Sequence, residues 1–412
     1  ATVASAEEEA SKWNCKLDTD GTGLVITGYT GEETDLVVPE ELEYEGKKYP
    51  VTEIGEAAFG MSNASGTSGI KSLNSIKIPS TVKVIGDNAF HYNRTLASVD
   101  LSDATGLKTI GDGAFSDAKF TTIEFPENLE TIGNYAFSGV QFTTLEFPEN
   151  LKTIGSTAFA CGWTNYGSLS RLTKIDFSRA KNLESIGRMA FANALITEVS
   201  FPEKLKTIEE RAFADITSLT KVDFSNASSL EVIEKAAFKN CSIKEVAFPE
   251  NLKEIEGEAF GVELNEVSEL EKVDFSKATS LVRIGYEAFS SSSIRTVKLP
   301  KNIEEIANGA FSGNELLTEV DFSDAKKLEA ISSDAFAWCP ELKNINLEEA
   351  TSLTTIASSA FQGIGTDFMA IPDSVEEIAE DTEYGSYTFS SADGGTFYLY
   401  GKVGSAAQQY AN

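Results

Sequence analysis

Isoleucine, three variable residues, alanine and phenylalanine succeed one another thirteen times along the chain, as in Ile132-Gly133-Asn134-Tyr135-Ala136-Phe137. The phenylalanines are Phe59, Phe90, Phe115, Phe137, Phe159, Phe191, Phe213, Phe238, Phe260, Phe289, Phe311, Phe336 and Phe361, mostly 22 or 25 residues apart. A period in that range predicts a solenoid, because one such unit cannot bury its own apolar face and must stack on the next. Between the phenylalanines runs a second pattern, seen in Leu172-Thr173-Lys174-Ile175-Asp176-Phe177, whose last three residues alternate in, out, in. That is the period of a strand with one buried face, and stacking the strands predicts one long parallel sheet. The expected buried column is Ile76, Val99, Ile123, Leu145, Ile175, Val199, Val222, Val246, Val273, Val297, Val320, Ile345 and Met369. Each phenylalanine should fill its turn from the opposite wall, with the alanine small enough for backbones to approach. Burying a phenylalanine stabilises by roughly 1.5–3 kcal/mol, so thirteen make a large term.

Each turn takes one of two forms. The short form ends its strand with proline, as in Leu145-Glu146-Phe147-Pro148, and Pro39, Pro79, Pro126, Pro148, Pro202, Pro249, Pro300 and Pro372 occupy that corner. A proline there ends a strand without breaking a ladder. The long form, as in Val222-Asp223-Phe224-Ser225, replaces proline by serine and adds two residues, which suggests a short helical turn capped by the serine. Three intervals, of 31, 32 and 29 residues, are longer than the rest, so loops 60–72, 160–171 and 261–269 should project from one edge. The middle one carries Trp163 and Tyr166 among glycine, serine and asparagine, a composition suited to recognition, although the rings could instead fold back over the edge.

The ends depart from the repeat. Leu17 and Leu24-Val25-Ile26 flank the turn-rich Asp18-Thr19-Asp20-Gly21-Thr22-Gly23, which predicts a β-hairpin, and Leu36-Val37-Val38 supplies a first strand. At the other end Tyr398-Leu399-Tyr400 reads as a last strand, and 404–411 as a short helix begun by Ser405. The expected organisation is an N-terminal segment and hairpin cap over 1–50, a solenoid of 13 to 14 turns over 51–382, and a C-terminal cap over 383–412. Length alone would suggest two or three domains, but the unbroken repeat predicts one.

Composition and charge narrow the partners. Sixty-four acidic residues against 34 basic ones give a formal charge of −30, which repels nucleic-acid phosphates and anionic lipid heads. No run approaches the roughly 18 apolar residues of a membrane span, so membrane insertion is not expected. Ala4-Ser5-Ala6 resembles the residues around a signal-peptide cleavage site, which suggests a trimmed export product, and the end at Asn412 leaves room for further modules.

Catalytic chemistry finds no foothold. His91 is the single histidine, which removes histidine-based triads and relays, and it is expected at the surface. The glycines form no phosphate-cradling motif, and no carboxylate pair stands out in an apolar setting that would raise a pKa. Cys15, Cys161, Cys241 and Cys339 are too few and scattered for a disulfide framework. The last three lie at equivalent points of turns roughly 14 Å or more apart at a strand spacing of about 4.8 Å, beyond disulfide reach, and should be buried thiols. The Asp18–Gly21 segment begins like a calcium loop but lacks the later ligands. Neither a cofactor nor a metal is expected.

The outward strand positions carry the remaining information. Lys174, Glu198, Lys221, Glu245 and Lys272 alternate in sign on successive strands, a structural arrangement. A second column, Asp176, Ser200, Asp223, Ala247, Asp274, Lys298 and Asp321, also keeps like charges apart. Earlier, Asp100, Glu124, Glu146 and Asp176 should follow one another on four strands whose companions Ser98, Thr122 and Thr144 offer no positive charge before Lys174. Like charges opposite one another are unfavourable, so this ladder is either a solvated acidic face or a site for a basic protein segment or a calcium ion.

The phrase L-x-x-I-x-L-P-x-x-L-x-x-I-G-x-x-A-F resembles the BspA-like class of leucine-rich repeats of exported bacterial surface proteins. The likeness extends from Tyr49-Pro50-Val51-Thr52-Glu53-Ile54 to the Gly404–Ala411 end. It implies a leucine-rich-repeat solenoid, β-rich α/β, with a parallel sheet on one face and a curved right-handed superhelix between two caps. It also implies a secreted or cell-surface bacterial protein, a monomeric adhesin or interaction scaffold, some relatives of which bind host matrix proteins. The expected function is non-catalytic recognition of a protein partner through Asp100, Glu124, Glu146 and Asp176 and the loop with Trp163 and Tyr166. Two alternatives stand beside it: a structural spacer without its own ligand, and a glycan-binding module using Trp163.

Overall fold

A computed structural model describes residues 12–60, 72–160, 170–263, 266–380 and 387–411. These residues form a parallel-sheet β-solenoid of about 14 turns with almost no helix. The chain divides into two compact units, Ala1–Ile196 and Thr197–Asn412.

Within each unit a turn has three walls. The first is the outward sheet of three-residue strands. In the first unit Asp35–Val37, Ser75–Lys77 and Ser98–Asp100 pair in parallel, as do Thr144–Glu146 and Lys174–Asp176. In the second unit the order is Glu198–Ser200, Lys221–Asp223, Glu245–Ala247 and Lys272–Asp274, then separately Thr296–Lys298, Glu319–Asp321 and Asn344–Ile345. The middle residue of each strand points inward, and the expected column is buried apart from Ile123 and Ile345, which are half-buried. The second wall is a ladder of two-residue strands ending on the isoleucine of the repeat, such as Thr109–Ile110, Thr131–Ile132 and Thr153–Ile154 in register.

The third wall carries the phenylalanines; among the described residues it has no regular strand up to Phe336, and then Phe361–Ile364 and Phe389–Ser391 pair on it in parallel. In the first unit the amides of Phe90, Phe115 and Phe137 donate to the carbonyls of Ala114, Ala136 and Ala158, one turn on. The flanking residues join the same ladder: Asn88 donates to Asp112 and Tyr92 to Ser116. This geometry needs a left-handed residue two positions before each phenylalanine, and most are not glycine: Asn88, Tyr135, Thr157, Arg211 and Glu258 lie at φ of 54–58°. Such a conformation costs a side chain roughly 1 kcal/mol, which the surrounding ladder supports. Tyr135 is exposed, so Tyr135→Gly is expected to raise stability by about 0.5–1 kcal/mol. A lowered thermal midpoint would show that ring contacts outweigh the backbone term.

Between the walls, the rings stack. Successive pairs from Phe59 to Phe191 have centroids 4.9–5.4 Å apart and interplanar angles of 1–10°. In the second unit the stack runs from Phe213 to Phe361 and continues to Phe389, 5.7 Å beyond Phe361. Thr388 takes the place of the alanine there, which hides this turn from the repeat. The ring and strand ladders thus run past residue 382, since Phe368–Ala370 pairs with Tyr398–Tyr400.

The ends contain the hairpin Trp13–Leu17 with Leu24–Tyr29, as the sequence predicts. A second hairpin, Glu41–Tyr44 with Lys47–Ile54, was not expected. Its turn residues Glu45 and Gly46 both have positive φ, at 51° and 78°, the conformation of a tight two-residue hairpin turn. The helix Ala406–Ala411 follows Ser405, but the Ser405 hydroxyl makes no capping bond; the Gln408 side chain accepts from the Gly404 amide instead. The corner of the long turn also differs from expectation. It is a turn without a serine cap: Asp100, Asp176, Asp223, Asp274 and Asp321 each accept the amide of the residue two positions on, at 2.8–2.9 Å.

Candidate interaction faces

The four carboxylates of the expected acidic ladder do not form one. Asp100 stands in register with Lys77, whose Nζ lies 3.5 Å from it and 2.7 Å from Asp103. Lys77 occupies the same outward column one strand earlier. The hydroxyl and amide of Ser102 hold the Asp100 carboxyl below the usual range, and Ser178 does the same for Asp176. Asp176 also has Lys174 at 3.8 Å. Both aspartates therefore serve the long-turn corner, and their column is structural for the same reason in the second unit. Glu124 lies outside any strand, because residues 121–126 pair with neither neighbouring strand. Glu146 is exposed and stands directly opposite Asp176. The exposed remainder is Glu124 and Glu146, with no ion pair among the described residues. Trp163 and Tyr166 lie outside the described residues.

Other polar side chains are used internally. Asp87, Asp112 and Asn134 each accept a backbone amide of the next turn at 2.7–2.8 Å. Glu130 sits between Lys108 and Lys152, at 2.9 and 2.6 Å, and these bonds lower its pKa to about 2. In the second unit Lys221 is in register with Glu198 and Glu245, and Glu245 with Lys272, the alternation the sequence predicts.

The remaining chemistry is sparse. Cys241 and Cys339 are buried thiols that donate to the carbonyls of Phe213 and Phe311, and burial pushes both up to about 12. Cys15, on the hairpin strand Trp13–Leu17, is half-exposed, and Cys161 is outside the described residues. His91 is half-buried rather than at the surface: its ring packs 4.0 Å from Tyr92, and burial lowers its pKa. Asp18 is engaged by the Thr22 amide and the Thr52 hydroxyl, which makes it a turn residue. Among the described residues no group of three histidine, cysteine or acidic side chains is placed to hold a metal, and no helix is long and apolar enough to cross a membrane.

Sequence reading missed one cluster. Phe368, Tyr398 and Tyr400 are 56%, 55% and 61% exposed on the outward face of their paired strands. The signal was the phase: with Leu399 aligned on Met369, both tyrosines must point out.

Stacked turns of short parallel strands, closed by an inner column of leucine-like residues, define a leucine-rich-repeat solenoid. Residues 52–165, 164–265 and 264–390 match the BspA type leucine-rich repeat region, six copies in the family profile, and the chain belongs to that family. It is similar in fold to a leucine-rich repeat protein from Bacteroides ovatus, at 22% identity and a TM-score of 0.51, over 95% of this chain and 98% of that one. A leucine-rich cell surface protein from Faecalibacterium prausnitzii aligns at 24% identity and a TM-score of 0.46, over 81% of this chain and 92% of that one. The pneumococcal vaccine antigen PcpA aligns at 21% identity and a TM-score of 0.47, over 94% and 91%. No curated protein matches. No catalytic family is indicated by these matches.

Proposed function

We propose that the chain is a non-catalytic binding scaffold, secreted or displayed at a bacterial surface, that recognises a protein partner through its outward sheet face. The observation that carries this is Glu146, exposed and in register with Asp176, with Glu124 exposed in the preceding turn. Lys174, 3.8 Å from Asp176, offsets that carboxylate and leaves Glu146 and Glu124 as the exposed negative charges that a basic segment of a partner would meet. The charge of −30 would steer such a partner and speed encounter. Asp100 and Asp176 join this face as fixed, half-exposed carboxylates, and Trp163 and Tyr166 belong to the same proposal as a flanking loop. The hairpin over 13–29 and the helix Ala406–Ala411 would act as caps at the two ends of the solenoid.

The test is the double variant Glu124→Gln with Glu146→Gln, which leaves the turn-forming aspartates intact. Its affinity for a partner captured from host extracellular proteins should fall about tenfold, and the remaining binding should depend less on salt. Unchanged affinity would dismiss the acidic face.

A further inference from the structure

The outward sheet of the second unit has a gap. Asn344–Ile345 pairs with Glu319–Asp321 and no further strand on that face, and Phe368–Ala370 pairs only with Tyr398–Tyr400. Between them is a cleft of about 350 Å³. Ile345, fully inward elsewhere in its column, is half-exposed at its floor. The two sides are unlike. One is aromatic: Phe368 lines the cleft, and the Tyr400 ring stands perpendicular to it at 6.2 Å, with Tyr400 in register opposite the small Ala370. The other is polar, formed by Glu319, Lys343, Asn344 and Glu348. Asp321 and Asn346 are committed elsewhere, because Asn346 bonds both Asp321 and the Phe322 amide.

We propose that this cleft binds a neutral hexopyranose unit of an oligosaccharide, its C–H face stacked on Phe368 and its hydroxyls met by Asn344 and Glu319. The axial C–H groups of a pyranose carry slight positive charge and suit the negative face of an aromatic ring. The hydroxyl edge needs partners that both donate and accept, which an amide beside carboxylates and an ammonium provides. A wholly apolar ligand would leave that polar side desolvated and unpaired. A peptide adding as a strand would have to compete at Phe368 with the Thr366 hydroxyl, which donates to the Phe368 carbonyl and accepts its amide. Glu319 and Glu348 against Lys343, on a chain of charge −30, disfavour sialylated and sulfated sugars. The volume lies within the range of small-ligand sites, about 300–1,000 Å³. This site is separate from the acidic face of the first unit and stands or falls independently of it.

The intact chain is tested on an array of neutral, sialylated and sulfated glycans, followed by saturation-transfer NMR with the neutral glycans retained. The expected result is retention of neutral hexose oligosaccharides with little dependence on salt. Phe368→Ala and Asn344→Ala should each weaken it at least tenfold, and the Glu124→Gln, Glu146→Gln double variant should bind as the parent does. Phe368 is exposed, so its variant should keep the parent's thermal midpoint. No neutral glycan bound, a preference for acidic glycans, or parent-like binding by Phe368→Ala would each overturn the proposal.

Discussion

Phe137→Ala is expected to destabilise the first unit by about 3–5 kcal/mol. The ring is fully buried, stacked between Phe115 and Phe159 at 5.4 and 5.3 Å, and touched edge-on by Phe120, Phe125 and Phe142. Removing it opens a cavity that neighbours cannot collapse into, because each is held by its own turn and by the amide ladder between turns. In a stack where each turn contacts only its neighbours, the loss should also decouple the turns on either side. Urea unfolding of the intact chain measures it, with Phe125→Ala as the comparison, since Phe125 is half-buried and should cost less. A loss below about 1 kcal/mol would mean that the stacked rings are not the rigid core described above.

Gly155→Ala should cost about 1–3 kcal/mol, at the upper end of that range. A Cβ at this position would lie 2.5 Å from the Asn134 nitrogen and the Gly133 carbonyl carbon. Those atoms are backbone, so no rotamer change relieves the clash. Gly86, Gly111, Gly133, Gly155 and Gly187 follow one another at this point of successive turns, and each meets the backbone of the turn before at 3.0 Å or less. In the second unit the same position holds Glu209, Glu234 and Glu256, of which Glu234 and Glu256 accept amides of the turn before, and then Gly285, which again meets the backbone of the turn before at 2.6 Å. Close approach at some turns and side-chain bonding at others solve the same problem. Urea unfolding again reads the change, and a Gly155→Ala protein as stable as the parent would show that the turns can separate freely.

The fold was largely legible because each of its two periodic signals has a direct physical meaning. The alternation around residues such as Ile175 could only be a one-faced strand, and the recurrence of the phenylalanines could only be stacking; both columns are where the sequence places them. The fourteenth ring, Phe389, was hidden by the single change of alanine to Thr388. Charge was harder to read. Sequence shows that Asp100 and Asp176 carry carboxylates but not that the serine two residues on captures them, since that depends on the turn at the corner. The acidic ladder began one strand too late, after Lys77, and so missed the partner of Asp100. The aromatic cleft was invisible for a different reason: it arises from a break between two strands, and a break has no composition of its own.

The claim that this repeat surface recognises a protein through exposed acidic side chains is tested most directly by binding the intact chain to immobilised host extracellular proteins at low and high salt. The account predicts at least one protein whose binding weakens steeply as salt rises and weakens again in the Glu124→Gln, Glu146→Gln double variant. Binding that is indifferent to both, or the absence of any protein partner at low salt, would contradict it.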